Sequence, residues 1–346
     1  MKFFNMLHEE NSSAPMRCRS YAYDANQQAE SLVRWEQHYE QHSRGTFSGY
    51  LDELNLGGIH LFEEFTSQAL LQHCCVGEDS LWIGFSQQCQ SPRINANQLL
   101  PGQLMVRPSH VEFELVTPSD FHIFGLVLNK QTIADELTGL DTELWLGHPE
   151  DILVTNACPQ LSYELAKLIR LLLTEDSLLF SPVASLGHQS RLKHIRPLIV
   201  SAITDLLAQI TGPDLQTLKE TRSARMVVIK RIQKHMAQTG EYPLTVNELC
   251  RIACVSRRTL QYAFEYGLDI SPLVYVRNCR LNQIRRALLS TNSELCISDL
   301  AIGHGFYHIG LFNQYYKQLF GETPTQTRQR SVVYSQRVIA HTSAMA

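Results

Sequence analysis

The sequence predicts an α+β chain: an N-terminal antiparallel β-barrel with helices, then an all-α domain in which a connector helix joins two helix-turn-helix units. Three observations carry this. First, one pattern occurs twice between Leu244 and Pro324: Leu260, Phe264 and Pro272 recur as Phe312, Tyr316 and Pro324, each 52 residues later. Apolar residues four apart share a helix face. Second, from Gly45 to Asn129 short apolar runs alternate with Gly, Pro, Asn and Ser, as in LNLGGIHLFEEF, SLWIGF, QLMVRPSHVEFELV and DFHIFGLVLN. That is the texture of short strands. Third, charge is divided. Residues 1–214 carry −13 and residues 215–346 carry +9, within a net −4. A basic half faces a polyanion, and an acidic half stays off it.

Taken in order, residues 1–28 are polar. Residues 29–42 (AESLVRWEQHYEQH) read as a helix, with His38 and His42 one turn apart. Two metal ligands can use that spacing, and a solvated face can show it too. In HVEFELV, Val111, Phe113 and Leu115 alternate with His110, Glu112 and Glu114, a half-buried strand. Several such strands suggest a small barrel, whose mouth suits a small ligand. Trp82, Phe85 and Phe124 either line that pocket or fill the core. Residues 131–211 turn helical. One stripe runs Leu161, Leu165, Leu168, Leu172; another runs Leu192, Ile195, Ile199, Ile203, Leu206, Ile210, with Pro197 kinking or starting its helix. These helices pack on the barrel or pair with a second subunit. Gly212 and Pro213 then break the pattern. The domains are therefore 1–211, a linker at 212–222, 223–330, and a tail at 331–346.

Composition removes several classes. The 346 residues suffice for two domains, and 44% hydrophobic content suits a soluble core. No run of 18 apolar residues predicts a membrane span, and MKFFNML meets His8, Glu9 and Glu10 too soon for a signal peptide. The expectation is a cytoplasmic protein with nine reduced cysteines, which form no CxxC pair. His60, His73, His110 and His122 stand isolated, and no HxH pattern, P-loop, nucleophile elbow or dinucleotide fingerprint appears. Neither an enzyme nor a metal site is expected.

The C-terminal part carries the chemistry. Thr245 and Glu248 form a capping box, and Ser256 caps the next helix. Leu260 and Phe264 face inward, which turns Arg257, Arg258, Gln261 and Tyr262 outward. Arg grips guanine bidentately and Gln does so with adenine, and the start of such a helix is where base edges are read. Either arginine can instead hold phosphate. Ser271 and Pro272 open the connector, buried through Leu273, Val276, Leu281, Ile284 and Leu288 and basic through Arg277, Arg280, Arg285 and Arg286. In the second unit, His308, Ile309, Asn313, Gln314 and Lys317 are the outward candidates. Ile309 could meet a thymine methyl, or the unit could hold only phosphate.

VSRRTLQYAF, ISPLVYVRNCRLNQIRRALL and DLAIGHGFYHIGLFNQYYKQLFGETP together resemble the DNA-binding domain of the AraC/XylS family of transcription regulators. The resemblance covers roughly the last 110 residues. Within that family the chain is most similar to regulators of ethanolamine-utilisation operons, and RGTFSGYLDELNLGGIHLFEE resembles their sensor domains. The resemblance implies a cupin-like sensor barrel, double-stranded promoter DNA and RNA polymerase as partners, and a homodimer. It also implies ethanolamine and adenosylcobalamin as effectors. The chain departs from the family pattern at Asp269, where Gly usually ends the first recognition helix. It departs again at Tyr307, His308, Ile309 and Gly310, where the family commonly has Asp and Ser.

Overall fold

Strand alternation builds two facing sheets. The computed structural model describes residues 16–32, 35–136, 152–155, 159–174, 188–210, 215–218, 224–240, 242, 245–290 and 295–330. Its elements run β1 (Met16–Ala22), α1 (Ala25–Ala29), β2 (Glu36–Gln41), β3 (Gly49–Asn55), β4 (Ile59–Thr66), β5 (Leu70–Cys75) and β6 (Ser80–Phe85). Then come β7 (Arg93–Ile94), β8 (Asn97–Gln98), β9 (Met105–Pro108), β10 (Glu112–Thr117), β11 (Phe121–Asn129), α2 (Lys130–Glu136) and β12 (Ile152–Thr155). Next are α3 (Pro159–Leu173), α4 (His188–Leu207), β13 (Leu215–Leu218), α5 (Ala224–Thr239), α6 (Val246–Ala253), α7 (Arg257–Leu268), α8 (Pro272–Leu289), α9 (Ile297–Gly303) and α10 (Ile309–Phe320).

The large sheet is ordered β1-β3-β4-β11-β6-β9-β12-β13, and the small one β2-β5-β10-β7-β8. The expected cupin-like barrel is therefore an open pair of sheets. β2 leaves the β1–β3 ladder and pairs with β5, so the hydrogen bonds never close into one cylinder. The helix expected over 29–42 is corrected by the same pairing. Among the described residues there, only Ala29, the last of α1, is helical. Residues 36–41 alternate Glu36, His38, Glu40 on one face with Gln37, Tyr39, Gln41 on the other, and β5 offers that alternation a partner. His38 and His42 thus share no helix face. The linker expectation also changes: Leu215–Leu218 pairs with β12 as the sheet's last strand. The tail at 331–346 and residues 1–15 lie outside the described residues.

The layers follow from strand parity. On one face of the large sheet, Leu81, Ile83, Phe85, Phe124 and Leu126 pack with Leu161, Leu165 and Ile169 of α3 and Ile199, Ile203 and Leu207 of α4. The α3 stripe and Ile199, Ile203 and Ile210 of the second stripe thus pack within the chain, Leu192 and Ile195 lie outside the described side chains, and Pro197 lies inside α4. On the other face, Trp82 and Phe62 meet Tyr39, Leu70, Cys74, Phe113 and Leu115 from the small sheet. Gly84 and Gly125 are cross-strand partners. A Cβ on Gly84 would lie 1.9 Å from Trp82 Cζ2, and one on Gly125 2.0 Å from Phe62 Cζ, so these glycines make room for the two rings. Each large apolar side chain so buried contributes about 1.5–3 kcal/mol.

The small sheet's outer face meets the helical domain. Leu71 and Ala96 join Ile229, Ile232, Leu249, Leu260, Phe264 and Tyr275 in one core. A second helical core gathers Leu281, Ile284, Leu288, Leu300, Phe306, Phe312, Tyr316 and Phe320. Among the described residues no helix is long and apolar enough to cross a membrane.

Candidate nucleic-acid interface

The interface is built from local signals. Thr245 Oγ1 accepts from Glu248 N at 3.2 Å, and Thr245 N donates to Glu248 Oε2 at 3.0 Å, closing the capping box of α6. α6 ends at Cys254 in the left-handed region, φ 55°, and Ser256 then caps α7 by accepting from Thr259 N at 3.2 Å. Leu249, Leu260 and Phe264 are fully buried, which fixes the roll of α7 on its frame. Arg257, Arg258, Thr259 and Tyr262 are then exposed along its first turns, as the pattern predicts. The helix closes at Asp269, φ 61°, where the family commonly has Gly; a left-handed Asp does the same work.

Within that face the side chains differ in readiness. Arg258 makes no hydrogen bond or ion pair to a described residue. Arg257 Nη2 donates to Asn247 Oδ1 at 3.1 Å, a bond that prepositions its guanidinium over the turn. Gln261 is half-buried and donates to Glu265 Oε1 at 2.6 Å, so that bond must break before it can read a base. The Tyr262 ring sits 4.4 Å from that of Tyr266, and Arg225 caps both at 5.1 Å. Tyr266 and Arg225 were missed from sequence; the four-residue spacing of the two tyrosines was the available signal.

The second unit is framed by Phe312 and Tyr316, both fully buried. α9 is capped by Cys296 Sγ, which accepts from Asp299 N at 3.4 Å. His308 stands at the N-cap of α10 without a side-chain cap bond. His308, Asn313, Gln314 and Lys317 are exposed, while Ile309 is half-buried against the core. Tyr307, named from sequence as a departure from the family pattern, and Leu311, not singled out there, are exposed beside them and supply the apolar surface expected of Ile309.

The connector's arginines are mostly engaged inside the protein. Arg277 lies 4.2 Å over the Tyr315 ring and ties α8 to α10. Arg280 is buried, donates to His304 O at 2.5 Å and covers Phe306 at 3.9 Å. Its removal from water brings its pKa down to about 10, and it stays charged at neutral pH. Arg285, expected at DNA, is the clear correction. It is buried, with Nε 2.5 Å from Asp24 Oδ2 and Nη1 2.9 Å from Glu322 Oε1. Burial works against its charge, but Asp24, Tyr316 and Glu322 outweigh it and raise its pKa. It holds the two halves of the chain together.

The aromatic pocket is likewise not assembled. Phe85 and Phe124 stack at 5.4 Å on the helix side of the large sheet, while Trp82 stacks on Phe113 at 5.2 Å on the opposite side. Their parity within β6 separates them, and all three are core.

Residues 249–330 match a family described as a helix-turn-helix domain. The C-terminal part of this chain is thus similar to a helix-turn-helix domain. Its curated relatives include the XylDLEGF operon transcriptional activator 3 of Pseudomonas putida, 25% identical over 144 residues, which are 41% of this chain and 43% of that protein. The HTH-type transcriptional regulator ArgR of Pseudomonas aeruginosa is 34% identical over 90 residues, 26% of this chain and 27% of that one. The matches thus span less than half the length of these relatives. Among solved structures, the AraC-like transcriptional activator CuxR matches at 18% identity with a TM-score of 0.36, covering 68% of this chain and 80% of that chain.

Proposed function

We propose that this chain is a ligand-responsive transcription regulator that binds double-stranded DNA through its helix-turn-helix domain and activates a catabolic operon in the cytoplasm. One observation carries the DNA reading: the exposed first turn of α7, with Arg257 and Arg258 set on a frame that Leu260 and Phe264 bury. A basic turn on a rigid helix suits entry into a major groove. The pair α9–α10 acts as the second helix-turn-helix unit, with Asn313, Gln314 and Lys317 toward the duplex. α8 then sets the spacing of the two units, about one turn of DNA.

The finer reading concerns ethanolamine. It is supported by the resemblance of residues 44–64 to the sensors of ethanolamine-operon regulators, a stretch that supplies β3 and β4. Ethanolamine and adenosylcobalamin are the corresponding effectors, and RNA polymerase and a second copy of the chain the corresponding partners. Footprinting the full chain on the promoter of its neighbouring operon, with and without each effector, tests both levels. Protection of adjacent major grooves on one DNA face is expected, strengthened by effector. No protection on any promoter fragment overturns the DNA reading; protection indifferent to both compounds overturns only the effector assignment.

A further inference from the structure

The exposed face of α7 continues past its first turn. Arg258, Tyr262 and Tyr266 follow one another at four-residue steps and form one stripe along the helix. Tyr262 is 45% exposed and Tyr266 54% exposed, although both rings are large and apolar. Across this stripe lies Arg225, in the first turn of α5. Its guanidinium carbon is 5.1 Å from the centre of each tyrosine ring, and the two ring centres are 4.4 Å apart. Packing beneath holds the arrangement, because Ile229 and Ile232 of α5 share a core with Leu260 and Phe264 of α7.

The stack holds a charge in place without a counter-charge. Among the described residues Arg225 has no carboxylate partner, and its Nη2 donates to Tyr262 Oη at 3.5 Å. Glu265, between the two tyrosines in sequence, instead accepts from Gln261 Nε2 at 2.6 Å. By contrast Arg170, Arg196 and Arg285, which tie elements together, each meet a carboxylate. A guanidinium is a planar fork of N–H donors, and rings against its face leave the edge of the fork open. That edge suits two oxygens of a phosphate. Tyr262 Oη accepts from Arg225, so its own O–H is left to donate to the same anion. The position favours phosphate over a base. Tyr262 and Tyr266 lie about 6 and 12 Å along the helix from Arg258. The first turn of such a helix meets base edges, and the groups behind it meet the groove wall.

We propose that Arg225 and Tyr262 together hold one phosphate of duplex DNA, beside the contact that Arg258 makes, and that the ring of Tyr266 positions the guanidinium. This rests on the DNA-binding reading of α7. The anchor comes from α5, outside the helix-turn-helix unit itself. It fixes the register of α7 on the duplex and carries no sequence preference.

Salt titration of DNA binding tests this, with the full chain on two duplexes: a fragment of the promoter of its neighbouring operon and a random sequence of equal length. The wild type is compared with Arg225→Gln, Arg225→Lys and Tyr262→Phe, and each protein is also melted. Each phosphate neutralised adds about 0.9 to the slope of log affinity against log salt. Arg225→Gln should therefore lower the slope by about 0.9 on both duplexes, with its melting unchanged, and Arg225→Lys should keep the slope. Tyr262→Phe removes no charge and should keep the slope too, but weaken binding about fivefold on both duplexes. An unchanged slope in Arg225→Gln overturns the proposal, and a fall in its melting temperature then marks a purely structural stack. A loss confined to the promoter fragment also overturns it, since that is the mark of a base contact. Equal affinity in Tyr262→Phe overturns the shared phosphate, and this variant keeps the test open where Arg225→Gln unsettles the fold. Failure of the wild type to bind either duplex instead removes the DNA-binding reading of α7, and the proposal with it.

Discussion

Asn282 of α8 completes the end of strand β2 as a neighbouring strand would. Gln41 N donates to Asn282 Oδ1 at 3.0 Å, and Asn282 Nδ2 donates to Gln41 O at 3.0 Å. Close by, Gln41 Nε2 and Gly45 N both donate to Leu319 O near the end of α10, at 2.6 and 3.0 Å. One short stretch of the N-terminal half thus holds both α8 and α10.

Asn282→Ala leaves a buried backbone donor and acceptor unpaired. Each such group costs about 1–3 kcal/mol, so a loss of about 2–4 kcal/mol in stability is expected from denaturant unfolding of the full chain. A change under about 0.5 kcal/mol, the size of an ordinary surface substitution, contradicts the docking described.

Arg285→Ala takes from buried Asp24 its hydrogen-bonded counter-charge and leaves only Arg330, 3.7 Å away, for a loss of about 3–5 kcal/mol. The pH dependence follows from Asp24. Burial opposes its charge, but the charge and hydrogen bond of Arg285 prevail and hold its carboxyl below the ordinary 3.8. A carboxyl so lowered contributes stability above its unfolded pKa and loses it as pH falls through the folded one. Melting curves of the two proteins should therefore differ at neutral pH and converge below about pH 3.8. The salt dependence of DNA binding should stay unchanged, since Arg285 meets no phosphate.

Arg258→Ala should narrow the gap between target and random DNA by about 1–3 kcal/mol if the guanidinium reads a base. Binding titrations on both duplexes check this. Equal weakening on every sequence, with a smaller salt slope, makes Arg258 a phosphate contact.

Glu64 lies wholly inside the N-terminal half, with Gln28 Nε2 and Tyr39 Oη donating to its Oε1 at 3.0 and 3.2 Å. Burial raises its pKa from 4.5 to about 7, against the pull of those two hydrogen bonds. A carboxyl so raised binds its proton in the fold, and that stability is complete below pH 4.5 and lost as pH rises through about 7. Glu64→Gln removes the loss. Its melting temperature should exceed that of the wild type at pH 8 by an amount worth up to about 3 kcal/mol, and the gap should close toward pH 4.5. A gap independent of pH rules out titration at Glu64.

The helix-turn-helix domain was legible because its signals are local. The capping box at Thr245 and Glu248, the cap at Ser256, the left-handed turn at Asp269 and the inward pairs Leu260–Phe264 and Phe312–Tyr316 depend on residues a few positions apart. Once those pairs are buried, Arg258, Asn313 and Gln314 must point outward. The strands of the N-terminal half were legible for a similar reason. The face of each aromatic within β6 could also have been read from parity, which separates Trp82 from Phe85.

The sequence alone determined the two-part architecture, the division of charge and the outward face of α7, because spacing along one helix or strand dictates them. Tertiary structure decided the rest. Arg258 and Arg285 are both helical arginines, yet one is free at the surface and the other is buried on Asp24, 261 residues away. His38 lies on a strand because β5 presents an edge to its backbone. Arg225 lies over Tyr262 and Tyr266 because Ile229 and Ile232 of α5 share a core with Leu260 and Phe264 of α7. A charge's neighbours across a long loop are set by packing, and no local period encodes them.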